Sequence, residues 1–414
     1  MNVKADIVVV GAGPCGSFSA LTAAKLGAEV VVCEEHREIG FPAHCAGHVS
    51  ISGLKFLGLD LPQRIIENEI RGAVFHSPSG EELEIRRASP VSLVVNRKLF
   101  DKHLADLAMK AGVQYLLGSR AESPLLSSGF VKGVTILRGG IKEALASEMV
   151  IDAEGCSSIL LKRAGLQTLN RSMVVNAIQV EVDYVDKVNL DTVEVYFGRK
   201  FAPGHFAWII PKRDGSAKVG LATGMGDPRE YLQRFMREHP IASKKLRKSS
   251  ITDLSLHPIP LGGAIPKTYS NGFLIVGDAA SQVKPTTGGG LIPGLLCSKI
   301  AGEVAYEALE SNDFSKSSLS SYQSRWKEII GFDMAVMYQI RRVFNRLSDN
   351  RIDKIIDVCA KSEVNRILEE AADIDFEGRS LIRMARHPAT IITALYFVFS
   401  SLFSPKMERL NPAK

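Results

Sequence analysis

Gly11, Gly13 and Gly16 stand in the spacing G-x-G-x-x-G within "DIVVVGAGPCGSFSALTAAKLGAEVVVCEE". Glycines so spaced do anion chemistry: Gly11 for a tight turn, Gly13 for close backbone approach to a pyrophosphate, Gly16 for close helix–strand contact. The helix that follows offers the free N–H groups of its first turn to the negative charge. Glu34 arrives about 20 residues later, where an acid takes the two hydroxyls of an adenosine ribose. Pro14 and Glu35 belong with this site. An acid there disfavours a 2′-phosphate, so the ligand should be FAD or NAD rather than NADP.

Those side chains need elements to hold them. Residues 6–10 read as a buried strand, a small-residue helix runs to Gly27, and "EVVVC" is a second strand ending at Glu34. A later run, "NGFLIVGDAASQVKPTTGGGLIPGLLCSKIAGEVAYEAL", repeats the strand–loop–helix order. Asp278, after Gly277 at the strand's end, can accept from a polyol hydroxyl, and Ala279 and Ala280 allow close backbone approach. Gly288, Gly289 and Gly290 open the next helix, whose N-terminal amides suit the negative charge that builds on the pyrimidine side of a reduced flavin. A third run, "HFAWIIPKRDGSAKVGLA", is a hairpin: "KRDG" is the turn and "SAKVGLA" alternates as a strand should. Its first strand gathers Phe206, Trp208, Ile209, Ile210 and Pro211, and large rings on a strand serve either sheet core or the wall of an apolar pocket.

The chain has 414 residues, which suits two or three domains, and its 45% hydrophobic and 23% charged content is that of a globular protein. A formal charge of +6 fits an acidic or phosphate-bearing partner; no basic helix or aromatic-studded sheet argues for nucleic acid. Six cysteines without a CxxC pair point to a reducing compartment, with neither a disulfide framework nor a metal site. "MNVKADIVVVGAG" enters a strand at once, so no signal peptide is expected, and no apolar run is long enough to span a membrane. From about residue 313 the pattern is helical. Basic residues gather at Lys244, Lys245, Arg247 and Lys248 and at Arg341, Arg342 and Arg346, where they are a solvated face or a contact for anionic headgroups or a diphosphate. "ATIITALYFVFSSLF" near the end is a buried helix, a cap or an interfacial segment.

Taken together, G-x-G-x-x-G with Glu34, and G-D-A-A followed by P-x-x-G-G-G, resemble the FAD-binding fold of the hydroxybenzoate-hydroxylase-like superfamily. In that superfamily an arginine opens a helix, which "VNRKLFDKHLADLAMKAG" supplies as Arg97, and a central D-G motif corresponds here to Glu154-Gly155. Two further stretches resemble the archaeal geranylgeranyl reductases. "EIGFPAHCAGHVS" matches their cysteine-bearing segment near the flavin, with His44, Cys45 and Ala46. "PGHFAWIIP" matches their signature P-x-x-[YF]-x-W-x-[FL]-P at Pro203, Phe206, Trp208 and Pro211, with Ile210 where Phe is usual and His205 where Gly is common. The resemblance covers residues 1–345.

It implies an α/β chain: a Rossmann-like FAD-binding domain (1–72, 95–165 and 268–312) and an inserted antiparallel β-sheet substrate domain (73–94 and 166–267), to which the periodicity adds a C-terminal helical region (313–414). FAD would lie on Gly11, Gly13, Pro14, Gly16, Glu34, Glu35, Cys45, Ala46, Arg97, Gly155, Gly277, Asp278 and Gly288–Gly290. His44, Phe206, Trp208, Ile210 and Pro211 would line an isoprenoid slot, with Cys45 and Trp208 catalytic. The implied reaction saturates geranylgeranyl double bonds in a membrane lipid or prenylated quinone. Its reductant would be a ferredoxin-like carrier or NAD(P)H, since no second G-x-G-x-x-G unit exists, and its place the cytoplasm, at the membrane surface. The rivals are a flavin monooxygenase or halogenase, a dehydrogenase feeding quinone, and a prenyl-lipid carrier.

Overall fold

The apolar run Lys4–Val10 becomes the centre of an eight-stranded sheet because both of its faces are covered and its backbone pairs on both edges. On one side it pairs in parallel with Val30–Cys33, Val10 opposite Cys33; on the other with Ile141–Asp152, Val10 opposite Asp152. Gln114–Leu116 extends the first side, and Phe273–Ile275, itself parallel, extends the second. Strands buried on both faces read as unbroken Val/Ile runs, which is what this sequence shows. A computed structural model of the chain describes residues 4–361 together with Asp375, Arg379 and Ser380. The segment "ATIITALYFVFSSLF" lies outside the described residues.

The chain divides into two units. The first comprises Met1–Glu67, Leu93–Val174 and His257–Met334 and holds the eight-stranded sheet. Its core gathers Val8, Val10, Val31, Val150, Leu160 and Ile275. Every parallel strand that bears a motif ends at the same edge of this sheet, the edge where such folds bind ligands. Residues 313–334, which the sequence reading sets apart in a helical region, pack in this unit as the helix Lys316–Trp326 and a π turn, Lys327–Gly331.

The second unit comprises Asn68–Ser92, Val175–Leu256 and the part of the chain from Ala335 on. Its seven-stranded sheet runs in the order Ile251–Pro260, Val174–Val182, Ala217–Thr223, Ala207–Pro211, Thr192–Tyr196, Gly72–His76, Glu82–Arg86. The strands from 174–182 to 192–196 pair antiparallel, as do 72–76 and 82–86, while 192–196 and 72–76 pair in parallel. The "KRDG" turn closes as its residues dictate. Lys212 N–H donates to Ser216 O at 2.8 Å, Asp214 Oδ1 accepts from Ser216 N–H at 3.0 Å, and Gly215 takes a φ of +87°. Among the described residues no helix is long and apolar enough to cross a membrane.

Candidate functional site

In the first unit the glycine turn is built from contacts only glycine allows. Gly11 has a φ of +95°, and a Cβ on Gly16 would stand 1.8 Å from the Gly11 carbonyl oxygen. A Cβ on Gly13 would meet no protein atom within 4 Å, so the backbone there faces open space. Pro14 is the first residue of the helix Pro14–Leu26, and Gly13 caps that helix without any side-chain hydrogen bond. The first-turn amides therefore remain available to an anion.

Glu34 reaches back to this turn. Its Oε2 accepts from Ala12 N–H at 2.7 Å, while Oε1 accepts from His36 N–H at 2.9 Å and pairs with His36 Nδ1 at 2.6 Å. Ala12 and His36 fix the carboxylate in place, and Oε2 keeps a lone pair for a hydroxyl. Glu35, one residue on, is exposed.

The late motif interlocks with the early one. Gly277 (φ +66°) and Gly294 both lie against Cys15: a Cβ on either would come within 2.8 or 2.7 Å of its Sγ. Burial pushes the Cys15 thiol up to about 12, so it is a packing group beneath the site. Asp278 sits in the turn Gly277–Ala280, and its Oδ1 would be 3.2 Å from a Cβ on Gly290. Gly288 takes a φ of +76°, and Gly290 caps the long helix Leu291–Ser311, again with no side-chain hydrogen bond. The two loops thus present two uncapped helix N-termini with Glu34 and Asp278. An open backbone at Gly13, carboxylates for hydroxyls and amides for anionic groups form a donor set that fits FAD.

The cysteine-bearing segment packs on the same unit. Arg97 opens the helix Arg97–Lys110, whose cap is Asn96 accepting from Leu99 N–H at 3.1 Å. Burial works against its charge, but the Asp101 carboxylate, bonded through both Nε and Nη2 at 3.0 Å, outweighs it and raises the Arg97 pKa. The Cys45 thiol also bonds this guanidinium, and its Sγ accepts from Gly47 N–H at 3.4 Å. Ala46 is half-buried between them. His44 stacks on His257, ring centroids 4.9 Å apart, and His257 Nε2 lies 3.6 Å from Asp278 Oδ2. Burial first, then His257 and Arg97, lower the His44 pKa to about 4.

Gly155 has a φ of +67° and opens a short turn. Glu154, where the superfamily carries Asp, turns to the next helix. It accepts from Ile159 N–H at 2.9 Å and Leu160 N–H at 2.8 Å. The sequence reading missed His36, Asp101 and His257. Only Asp101 has a local signal, its i,i+4 spacing from Arg97.

In the second unit the alternation of the strand Ala207–Pro211 sorts the aromatic residues. Ile209 and Ala207 face the core, while Phe206, Trp208 and Ile210 share the other face; Pro211 has the parity of the core face. The half-buried Trp208 ring lies across Gly220, where a Cβ would be 2.5 Å from the indole, and Nε1 donates to Gln179 Oε1 at 3.3 Å. Phe206 packs edge-on to Trp208 at 6.2 Å and to Phe197 at 6.1 Å.

Residues 6–172 match the family model of FAD-dependent oxidoreductases, and residues 174–253 that of the geranylgeranyl reductase catalytic domain. The digeranylgeranylglycerophospholipid reductase 2 of Methanopyrus kandleri is 34% identical over 92% of this chain and 98% of its own. Its counterpart in Methanothermobacter thermautotrophicus is 37% identical over 86% of this chain and 91% of its own. A crystal structure of a geranylgeranyl bacteriochlorophyll reductase-like protein from Thermoplasma acidophilum superposes with a TM-score of 0.85 at 28% identity, covering 95% of this chain and 99% of that one. A flavin-dependent brominase shares the fold at a TM-score of 0.72 and 18% identity, covering 96% of this chain and 99% of that one.

Proposed function

The chain belongs to the geranylgeranyl reductase family of FAD-dependent oxidoreductases, and we propose that its own substrate is a glycerophospholipid bearing geranylgeranyl chains. It is a flavoenzyme that reduces the C=C bonds of geranylgeranyl groups. The observation that carries the reading is the joining of the cysteine-bearing segment to the cofactor cradle, through His44 stacked on His257 beside Asp278.

Bound and reduced, FAD would supply a hydride equivalent to one carbon of an isolated double bond. The amides at Gly13 and Gly290 would hold its anionic groups, and Glu34 and Asp278 its hydroxyls. The other carbon needs a proton. His44, with a pKa near 4, carries no spare proton at neutral pH. We assign that proton to the Cys45 S–H, which the Arg97 guanidinium and Gly47 N–H hold in place. The face shared by Phe206, Trp208 and Ile210 is the wall along which a flexible prenyl chain is held straight, and its rings favour developing positive charge. Electrons come from outside, from a ferredoxin-like carrier or NAD(P)H. The enzyme works at the cytoplasmic membrane surface. Tyr184, Ile251 and Leu254, 44%, 54% and 49% exposed, and the exposed Lys244, Arg247 and Lys248 support that reading.

The test is anaerobic. Photoreduced protein mixed with a geranylgeranyl diether phospholipid should reoxidise its flavin, and the lipid should gain the mass of one H2 per saturated bond. Reoxidation that requires oxygen and leaves the lipid unchanged would overturn the assignment.

A further inference from the structure

The second unit buries a cation that has no counter-ion among the described residues. Arg341 is 3% exposed; its Nη2 donates to the Gly204 carbonyl, its Nε has no hydrogen-bond partner, and no carboxylate pairs with it among the described residues. His205, next to Gly204, is also 3% exposed, and neither of its ring nitrogens has a hydrogen-bond partner. One helical turn beyond Arg341, Asn345 has its amide oxygen buried and equally unpartnered. A buried guanidinium without an anion is among the costliest arrangements a fold can hold, and orphaned polar atoms beside it add to the cost.

The position of the cluster gives it a purpose. The loop that carries it is fixed, with Pro203 O accepting from Gly224 N–H at 3.0 Å and from Thr223 Oγ1 at 3.2 Å. The His205 ring lies 4.1 Å from that of Phe206, and Phe206 continues through an edge contact into Trp208. On the helix Phe332–Phe344 that bears Arg341, Phe344 lies 5.3 Å from Phe197, which in turn touches Phe206. An apolar wall therefore ends at an uncompensated cation. That is the complement of an amphiphile with isoprenoid tails and an anionic head.

We propose that His205 and Arg341 form a subsite for the phosphate of the lipid substrate. The inference rests on the proposed reading of the substrate as a phospholipid. Arg341 supplies the charge and a free Nε–H, and His205 a ring N–H. Burial, then the Arg341 charge, lower the His205 pKa well below the ordinary histidine value, against a smaller opposing effect of the Phe206 main chain. A phosphate seated between them would oppose that lowering. A free phosphate has the same chemistry as the headgroup, so the experiment must tell the two apart.

The experiment measures binding of two lipids to oxidised holoenzyme: a digeranylgeranylglyceryl phosphate and the same diether ending in a free hydroxyl. Wild type should prefer the phosphate by at least about tenfold, as one charge-assisted hydrogen bond predicts. Arg341→Met should bring that ratio close to one, Arg341→Lys should keep part of it, and His205→Phe should lower it. Equal affinity of wild type for the two lipids overturns the proposal, and this holds whether or not a variant folds. So does a ratio that Arg341→Met and His205→Phe leave intact. Inorganic phosphate that raises the melting temperature with no preference between the lipids would make this a free-phosphate site and overturn the headgroup assignment. Saturation of the hydroxyl diether by wild type reports on the reductase reading separately: without it for either lipid, that reading fails, whatever the binding ratio.

Discussion

Replacing Gly13 by alanine separates what this glycine does for the fold from what it does for the cofactor. Its φ of −65° and ψ of 179° are extended and open to any residue, and the added Cβ would touch no protein atom within 4 Å. As a helix cap, alanine is worse than glycine by roughly 0.5–1 kcal/mol. Against that, the loss of freedom in the unfolded chain returns about 0.4–1 kcal/mol. The two nearly cancel, so the apoprotein should melt within about 2–4 °C of wild type. FAD binding should suffer far more, because the methyl group occupies the space a pyrophosphate needs. Losing one charge-assisted hydrogen bond costs about 1.5–3 kcal/mol, or roughly 10- to 150-fold in affinity. Gly16→Ala is the contrast: its Cβ would lie 1.8 Å from a backbone oxygen, so the helix must shift and the apoprotein itself should be destabilised by about 1–3 kcal/mol or more. The assays are flavin-fluorescence titration of deflavinated protein and thermal melting of the same samples. Wild-type FAD affinity in Gly13→Ala would refute the pyrophosphate site. An apoprotein melt as low as that of Gly16→Ala would make Gly13 a structural glycine instead.

Trp208→Ala should stay folded and yellow, losing less than the 3–5 kcal/mol typical of a fully buried tryptophan, since the ring is only half-buried; mass spectra should show fewer saturated bonds, longest chains worst, and a collapsed melt with loss of flavin would return Trp208 to the core. Cys45→Ser should retain FAD while product formation from the photoreduced enzyme falls at least about tenfold, within the range general acid catalysis supplies; unchanged turnover would leave Cys45 a packing residue. Stability should fall as pH drops from 6.5 to about 4, because burial holds His44 and His239 at about 4 and the unfolded chain binds those protons first. A second loss should follow from 4.5 to about 2, where Glu194 is kept ionised against burial by the His76 ring 3.6 Å away and by hydrogen bonds from Lys245 and Tyr196; a melting temperature flat from pH 7 to 4 would refute the neutral buried histidines.

What the sequence discloses about this site follows how far each interaction reaches along the chain. Gly11 to Gly16, and Glu34 at the end of the next strand, are one strand–helix–strand unit, so spacing alone predicts the carboxylate at the turn. Glu154 reads in sequence as a departure from Asp-Gly. Its reason is the longer side chain reaching the amides of Ile159 and Leu160, five and six residues on. Gly220 reads as a weak point in a strand, because nothing local says that the Trp208 indole crosses it from the neighbouring strand. The same pairing sorts the large rings: alternation gives Ile209 to the core and Trp208 to the opposite face, where its ring is only partly buried. Farthest from view is the meeting of His205 with Arg341. His205 looks like a departure from a family glycine, and Arg341 like one cation of a solvated cluster. Only the folded chain brings them together, and there the glycine's replacement gains a reason. Beside a buried guanidinium with an open Nε–H, an imidazole can donate a second hydrogen bond to the same anion, which a glycine side chain cannot do.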